Sequence, residues 1–343
     1  MGTQCKHTAN RSGRVLVYSF SHCVLKKTCG HMKGTHFYLV GSFYFAPGEV
    51  DALRVGLINM EPQYINIAIE KLRLFHQCSG DSVEDYMPES RDCYDKIYCS
   101  SIFSFTDKTQ VPTDAVCGGT GFDITSRLPP EVEEMKPKLN IGFTTRGCIR
   151  NCGFCVVPKK EGAIRAVGDI YDFWDGVSKK IIILDNNLTA LPEQFYKICG
   201  QIRKENLKVD YNQGLDIRLI TKEMTRELAS IKHEEYHFAF DYPGLEPVIR
   251  EKTATLIGNG IKRSTFYVLV GYNTTIQEDL HRLRVLRELK QNAYVMRYKR
   301  ERVYIPIARW ANNHSWFQAI SFEDFLKRPE NEKAYRDLIE LYI

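Results

Sequence analysis

The segment Gly147-Cys148-Ile149-Arg150-Asn151-Cys152-Gly153-Phe154-Cys155 sets three cysteines at C-x3-C-x2-C spacing. It follows an apolar run, Leu139–Phe143, that reads as a strand. Iron–sulfur clusters are normally held by four thiolates. Three from one tight loop leave one iron without a protein ligand, and an open coordination position is what separates catalytic from structural metal sites. Gly147 and Gly153 let the backbone wrap a bulky group without Cβ clashes. Two plainer readings stand beside this one. One is a zinc site completed by Cys117 or Cys199 from other elements, the other a chance triplet of buried thiols.

Outward from the loop, short apolar strands alternate with helical patterns. The strands are predicted at Leu139–Phe143, Lys180–Leu184, Lys208–Tyr211, Tyr236–Phe240, Thr265–Val270 and Ala293–Arg297. Helices are predicted at Ile170–Gly176, Pro192–Lys204, Lys222–Ile231, Glu246–Ile257 and Ile276–Lys290. Short apolar strands suit a sheet covered on both faces, and helix-length crossovers argue for parallel strands. Six such units make a curved partial barrel a natural closure, with its chemistry where strands end and loops begin. The strands run into Thr144-Thr145-Arg146, Asp185-Asn186-Asn187, Asn212-Gln213-Gly214, Asp241-Tyr242 and Gly271-Tyr272-Asn273. Asn, Asp and Gly also start loops and cap helices, which is the plain reading of any one of these clusters.

C-x3-C-x2-C with an aromatic residue just before the third cysteine resembles the signature of the radical S-adenosylmethionine superfamily. Its members carry a partial (β/α)6 barrel with the cysteine loop after the first strand. The resemblance implies a 4Fe–4S cluster on Cys148, Cys152 and Cys155, with S-adenosylmethionine chelating the open iron and cleaved reductively to a 5′-deoxyadenosyl radical. It implies Phe154 beside the adenine, and an electron donor such as flavodoxin or ferredoxin. Where the superfamily often has a Gly-Gly-Glu type motif for the methionyl amine, this chain has Asp185, Asn186 and Asn187. Asp185 is expected to accept from the ammonium, the asparagines supply carbonyl acceptors, and Gln213 is a candidate for the ribose hydroxyls. Asp216 and Arg218 either join the site or pair structurally. Asp241 and Arg297 are candidates for substrate or carboxylate contacts.

Residues 51–130 read as a smaller Rossmann-like α/β layer. Arg54–Ile58, Lys96–Cys99 and Ala115–Cys117 are its strands, Tyr64–Phe75 its helix and Cys117–Gly121 a glycine-rich turn. The layer resembles, in outline, the cobalamin-binding-type domain that precedes many such barrels, through Ser100–Phe103 and Gly118-Gly119. The Asp-x-His-x-x-Gly loop whose histidine ligates cobalt is absent, His76 reads as a satisfied or solvated histidine, and cobalamin is not expected. Cys78, Cys93, Cys99 and Cys117 do not follow the pattern of the second cluster in RNA methylthiotransferases. Residues 1–50 read as a loosely ordered extension whose Cys5, His7, His22, Cys23, Cys29, His31 and His36 resemble a zinc inventory by composition alone. Residues 131–300 make the barrel, and 301–343 a helical cap in which Trp310 is expected in the core.

The 343 residues carry a net charge of +5, with 43% hydrophobic and 26% charged residues, ordinary for a globular protein. Basic residues are interspersed with acidic ones, so nucleic acid is not indicated as a partner. Eleven cysteines at uneven spacing suit a thiolate site in a reducing compartment better than a disulfide framework. No stretch is apolar enough to span a membrane, and a cytoplasmic location is expected. The competing functional classes are a radical enzyme of unassigned substrate, an RNA methylthiotransferase-like modifier, and a non-catalytic metal protein that binds partners.

Overall fold

A computed structural model describes residues 52–342. The extension of residues 1–50 and its histidines and cysteines lie outside the described residues. The chain divides into two compact units, with the boundary between Met135 and Lys136. Among the described residues no helix is long and apolar enough to cross a membrane.

The first unit is a parallel sheet of β1 (Arg54–Asn59), β2 (Ser82–Asp85), β3 (Lys96–Ser100) and β4 (Val116–Gly118) in the order β2-β1-β3-β4. Helix α1 (Ile67–Ser79) crosses between the first two strands, capped by the Asn66 side chain. It lays Ile69 and Leu72 on Val55 and Leu57. Strand β2, Ser-Val-Glu-Asp, is a polar edge strand that hydrophobic patterning does not flag. The short helix α2 (Pro130–Glu133) follows β4 in the chain, and Val132 is buried in the same core.

Two features organise the strand ends of this unit. Glu61, 2% exposed, accepts hydrogen bonds from Ser101 Oγ (2.9 Å), Ile102 N (2.9 Å), Phe103 N (3.3 Å) and Thr106 Oγ1 (2.6 Å). The carboxylate therefore shapes the loop after β3. Gly119 lies at φ +89°, and a Cβ there would meet the Ser101 carbonyl and the Ser100 hydroxyl. The glycine turn and the Ser100–Phe103 element thus pack on each other. His76 is 4% exposed, with Asp81 on Nδ1 at 2.6 Å and the Tyr98 hydroxyl on Nε2 at 3.1 Å. It is a satisfied core histidine.

The second unit begins with β5 (Ile141–Gly142), followed by a two-stranded antiparallel pair, β6 (Thr145–Arg146) and β7 (Arg165–Ala166), around the short helix α3 (Val157–Lys160). Only a single 3-10 turn, Ile170–Asp172, forms where a helix over Ile170–Gly176 is predicted. Strand and helix then alternate as expected: β8 (Lys180–Ile183), α4 (Pro192–Lys204), β9 (Lys208–Tyr211), α5 (Lys222–Ser230), β10 (Lys232–His233), β11 (Tyr236–Ala239), α6 (Glu246–Gly258), β12 (Ser264–Val270), α7 (Ile276–Glu288) and β13 (Asn292–Arg297). The strands form two parallel sheets, β10-β9-β8-β5 and β11-β12-β13. The Leu215 N–H donates to the His237 carbonyl at 2.8 Å between them.

Burial alternates along β8, β9 and β11, whereas β12 is buried on both faces except at Tyr267. Ile181, Ile183, Val209, Tyr211, Phe238, Phe266, Val268 and Val295 join one core with α4–α7. The intervening residues, among them Asp210, His237, Tyr267 and Tyr294, stay partly exposed on the other face. The expectation of two covered faces holds for β12 and is corrected for β8, β9 and β11, whose second face stays partly exposed.

The last helices, α8 (Tyr304–Ala311), α9 (His314–Ala319), α10 (Phe322–Leu326) and α11 (Pro329–Tyr335), share the core of the sheets. Trp310, Phe317 and Phe325 are fully buried there. After α8, Asn312 turns its side-chain amide onto β13. Its Oδ1 accepts from Val295 N at 2.6 Å, and its Nδ2 donates to Val295 O at 3.2 Å.

Candidate metal centre

The cysteine loop spans β6 to α3, at the end of the chain's run through β5. Gly147 opens it at φ +84°, where a Cβ would run into the Ala163 carbonyl, so the position accepts only glycine without strain. The loop is closed by Glu161, a residue the sequence reading passed over. Its Oε2 accepts from Gly147 N at 2.8 Å and from Asn186 Nδ2 at 2.8 Å, and its Oε1 pairs with Arg146 at 3.2 Å. Within the loop, Cys148 N donates to Gly162 O at 3.3 Å and Cys155 N to Cys152 O at 3.0 Å.

Cys148, Cys152 and Cys155 are all half-buried and free of disulfides. Two N–H groups point at Cys148 Sγ: Arg150 N at 3.3 Å and Asn187 Nδ2 at 3.4 Å. Burial pushes the Cys152 and Cys155 thiols up, and the charge of Asp241 adds to both shifts. Among the described residues no group of three or more His, Cys, Asp or Glu side chains could hold a metal ion. Thiolates of an iron–sulfur cluster bind different irons and need not converge on one point. The donor set, three thiols with N–H donors beside one of them, matches the chemistry of such a cluster. Cys199 is fully buried in α4, 3.8 Å from the Tyr211 hydroxyl.

The other expected residues divide. Asn187, 2% exposed, reaches both Cys148 and, at 3.5 Å, Asp216 Oδ2. Asp216 is a structural anchor: Arg218 Nε donates to it at 2.6 Å and Arg150 Nε, from the loop, at 2.9 Å. Burial pushes its carboxyl up, but the bonds from Arg218 and Arg150 outweigh that and hold it below the usual range. Phe154 packs edge-on against Tyr272 at 5.2 Å, and Tyr272 against Tyr298 at 4.7 Å, so aromatic rings link the loop to the ends of β12 and β13. Burial raises the Asp241 carboxyl, with Arg282 and Arg218 opposing the shift. Gln213 is exposed and donates to Asn212 Oδ1 at 3.3 Å.

Asp185 is the departure. It is 3% exposed, and its oxygens accept from Thr144 N at 2.6 Å and from the Thr144 hydroxyl. A carboxylate so enclosed ties β8 to the start of the cysteine segment.

Two further features escaped the sequence reading. Arg282 and Asp279 form a fully buried ion pair. Arg282 donates to the carbonyls of Phe240 and Leu269, and Asp279 accepts from Gly271 N at 3.0 Å, which fixes the ends of β11 and β12. On the partly exposed sheet face, Asp210 Oδ1 and His237 Nδ1 are buried without a hydrogen-bond partner. Burial raises the Asp210 carboxyl, and the charge of His237 opposes it. No protein-family model matches the chain, and no curated protein matches it.

Proposed function

We propose that the chain is a radical S-adenosylmethionine enzyme whose 4Fe–4S cluster is held by Cys148, Cys152 and Cys155. The observation that carries this reading is the cysteine loop itself: three half-buried thiols after the first strand of a parallel α/β unit, with Asn187 from the next strand end on a ligand sulfur. We infer that the two parallel sheets act as one partial (β/α)6 barrel, with β5, β8, β9, β10–β11, β12 and β13 in sequence order. Held by these three cysteines, a 4Fe–4S cluster with S-adenosylmethionine would supply one-electron reductive cleavage of the sulfonium.

The chain's own residues supply position and environment. Glu161 and Arg146 fix the loop from behind. Asn187 and the Arg150 N–H stabilise negative charge on the Cys148 sulfur. Phe154, Tyr272 and Tyr298 form a chain of edge-on rings beside the loop, and Phe154 offers a ring to the adenine. Asn186, Gln213 and Asp241 are the remaining candidates for polar contacts to the bound nucleoside and amino-acid groups. Asp210 and His237 carry buried polar atoms without a hydrogen-bond partner on the partly exposed face of the sheets.

The test is anaerobic reconstitution followed by incubation with S-adenosylmethionine and dithionite. About four irons per chain and 5′-deoxyadenosine by mass spectrometry are expected, as for one 4Fe–4S site. A full cluster with a competent reductant and no 5′-deoxyadenosine overturns the reading. About eight irons would favour the methylthiotransferase-like alternative.

A further inference from the structure

Cys99 and Cys117 stand opposite each other on neighbouring strands. β3 pairs with β4 in parallel register, Tyr98 to Val116, Cys99 to Cys117 and Ser100 to Gly118. Registered residues of adjacent strands project from the same face of a sheet, with backbones about 4.8 Å apart. That separation falls inside the roughly 4.4–6.8 Å between the Cα atoms of a disulfide. The two thiols already act on each other. The Cys99 S–H donates towards the Cys117 sulfur and favours its thiolate, against the burial that raises the Cys117 thiol. Cys117 is exposed, with its own S–H donated to Ala115 O at 3.4 Å, whereas Cys99 is 2% exposed. One sulfur of the pair is therefore open to a reagent in solution, and the other is reached through it.

The surroundings permit a bond there and give it a consequence. β4 has three residues and stands at the border of the sheet, held by one neighbouring strand only. Directly beyond the two cysteines, Ser101 N donates to Gly118 O at 3.1 Å and Gly121 N to Ser101 O at 2.8 Å. A covalent link between Cys99 and Cys117 clamps the loop after β3 and the glycine turn after β4 at their base. We propose that Cys99 and Cys117 form a reversible disulfide, a redox modification site of the first unit whose oxidant is a small-molecule disulfide of the glutathione type. The Cys117 thiolate attacks one sulfur of glutathione disulfide, breaks its S–S bond and releases one glutathione, which takes up the proton that Cys117 lost. Cys99 then gives up its proton, its sulfur attacks the Cys117 sulfur, and the second glutathione leaves with that proton. Two protein thiols lose two electrons, and one glutathione disulfide becomes two thiols. Exposed disulfides are the readily reduced ones, so the pair rests as a dithiol where glutathione is kept reduced. The site does not depend on the iron–sulfur reading.

Peptide mapping of the folded full chain tests it. Tryptic cleavage after Lys96, Lys108 and Arg127 puts Cys99 on residues 97–108 and Cys117 on residues 109–127, with no other cysteine on either peptide. The protein is incubated with excess glutathione disulfide at about pH 8, and remaining thiols are blocked with N-ethylmaleimide before digestion. Mass spectrometry is expected to find the two peptides joined by a disulfide, and dithiothreitol to separate them. Cys99→Ser should halt the reaction with glutathione still bonded to Cys117. Cys117→Ser should leave Cys99 unmodified in the folded protein. The wild-type map stands by itself should either variant fail to fold. A wild type that stops with glutathione on Cys117, a Cys99 joined to a different cysteine, or a link that forms only in urea overturns the proposal.

Discussion

Thr144 donates to both carboxylate oxygens of Asp185, to Oδ1 by its backbone N–H at 2.6 Å and to Oδ2 by its hydroxyl. The bond joins the end of one strand to the chain segment that leads into the cysteines. Asp185→Ala would leave both Thr144 donors buried without a partner and should cost about 1.5–3 kcal/mol of stability. Urea unfolding of the apo protein measures it. A variant as stable as wild type that binds S-adenosylmethionine tenfold more weakly would return Asp185 to a ligand-binding role.

Asn187 places an N–H 3.4 Å from Cys148 Sγ. In the reconstituted protein such a bond favours the more negative, reduced cluster. Asn187→Leu should therefore lower the midpoint potential by about 20–60 mV, the one-electron equivalent of a hydrogen bond worth 0.5–1.5 kcal/mol. A redox titration followed by electron paramagnetic resonance reads the shift. An unchanged potential would place Asn187 outside the influence of the cluster.

Glu61 gives the first unit an acid-sensitive tie. Burial pushes its carboxyl up, but the hydrogen bonds from Thr106, Ile102, Ser101 and Phe103 outweigh that and hold it below the usual range. A depressed folded value means that its stabilisation is present in full above about pH 5 and is lost as the pH falls through that value. Urea midpoints of wild type and Glu61→Gln should differ at pH 7 and converge on acidification. A constant difference across the series would deny the carboxylate this role.

The cysteines outside the loop differ in reactivity. Burial pushes the thiols of Cys99 and Cys199 up to about 12, whereas Cys78 is exposed. Since the thiolate is the nucleophile, iodoacetamide at pH 8 should modify Cys78 ahead of Cys99 and Cys199, which it reaches only on unfolding. Peptide mapping by mass spectrometry follows the order. Equal rates at Cys78 and Cys99 would mean that β3 opens readily in the folded state.

Local signals carried well from sequence to structure. The apolar runs Lys208–Tyr211 and Tyr236–Ala239 are strands because β-branched and aromatic residues face the helices at every second position. Strand β2 was missed because an edge of Ser, Val, Glu and Asp has no apolar face to detect. The helix over Ile170–Gly176 fails where Asp169 caps only a single turn, and Asp175 instead bonds the Val177 and Ser178 N–H groups. The cysteine loop was legible because its spacing is local. The residues around it were not, because Glu161 meets Asn186 across 25 positions and Arg282 meets Phe240 across 42, contacts made only by the folded chain.

The amide of Asn312 presents to Val295 the same acceptor and donor that a neighbouring peptide unit would. Strand β13 stands at one border of the β11-β12-β13 sheet, and such a border is a template on which another molecule can add a strand. One side chain thus acts as a counterfeit strand that terminates growth of the sheet. Asn312→Ala would uncover that border and favour association of chains through it, detectable as concentration-dependent light scattering.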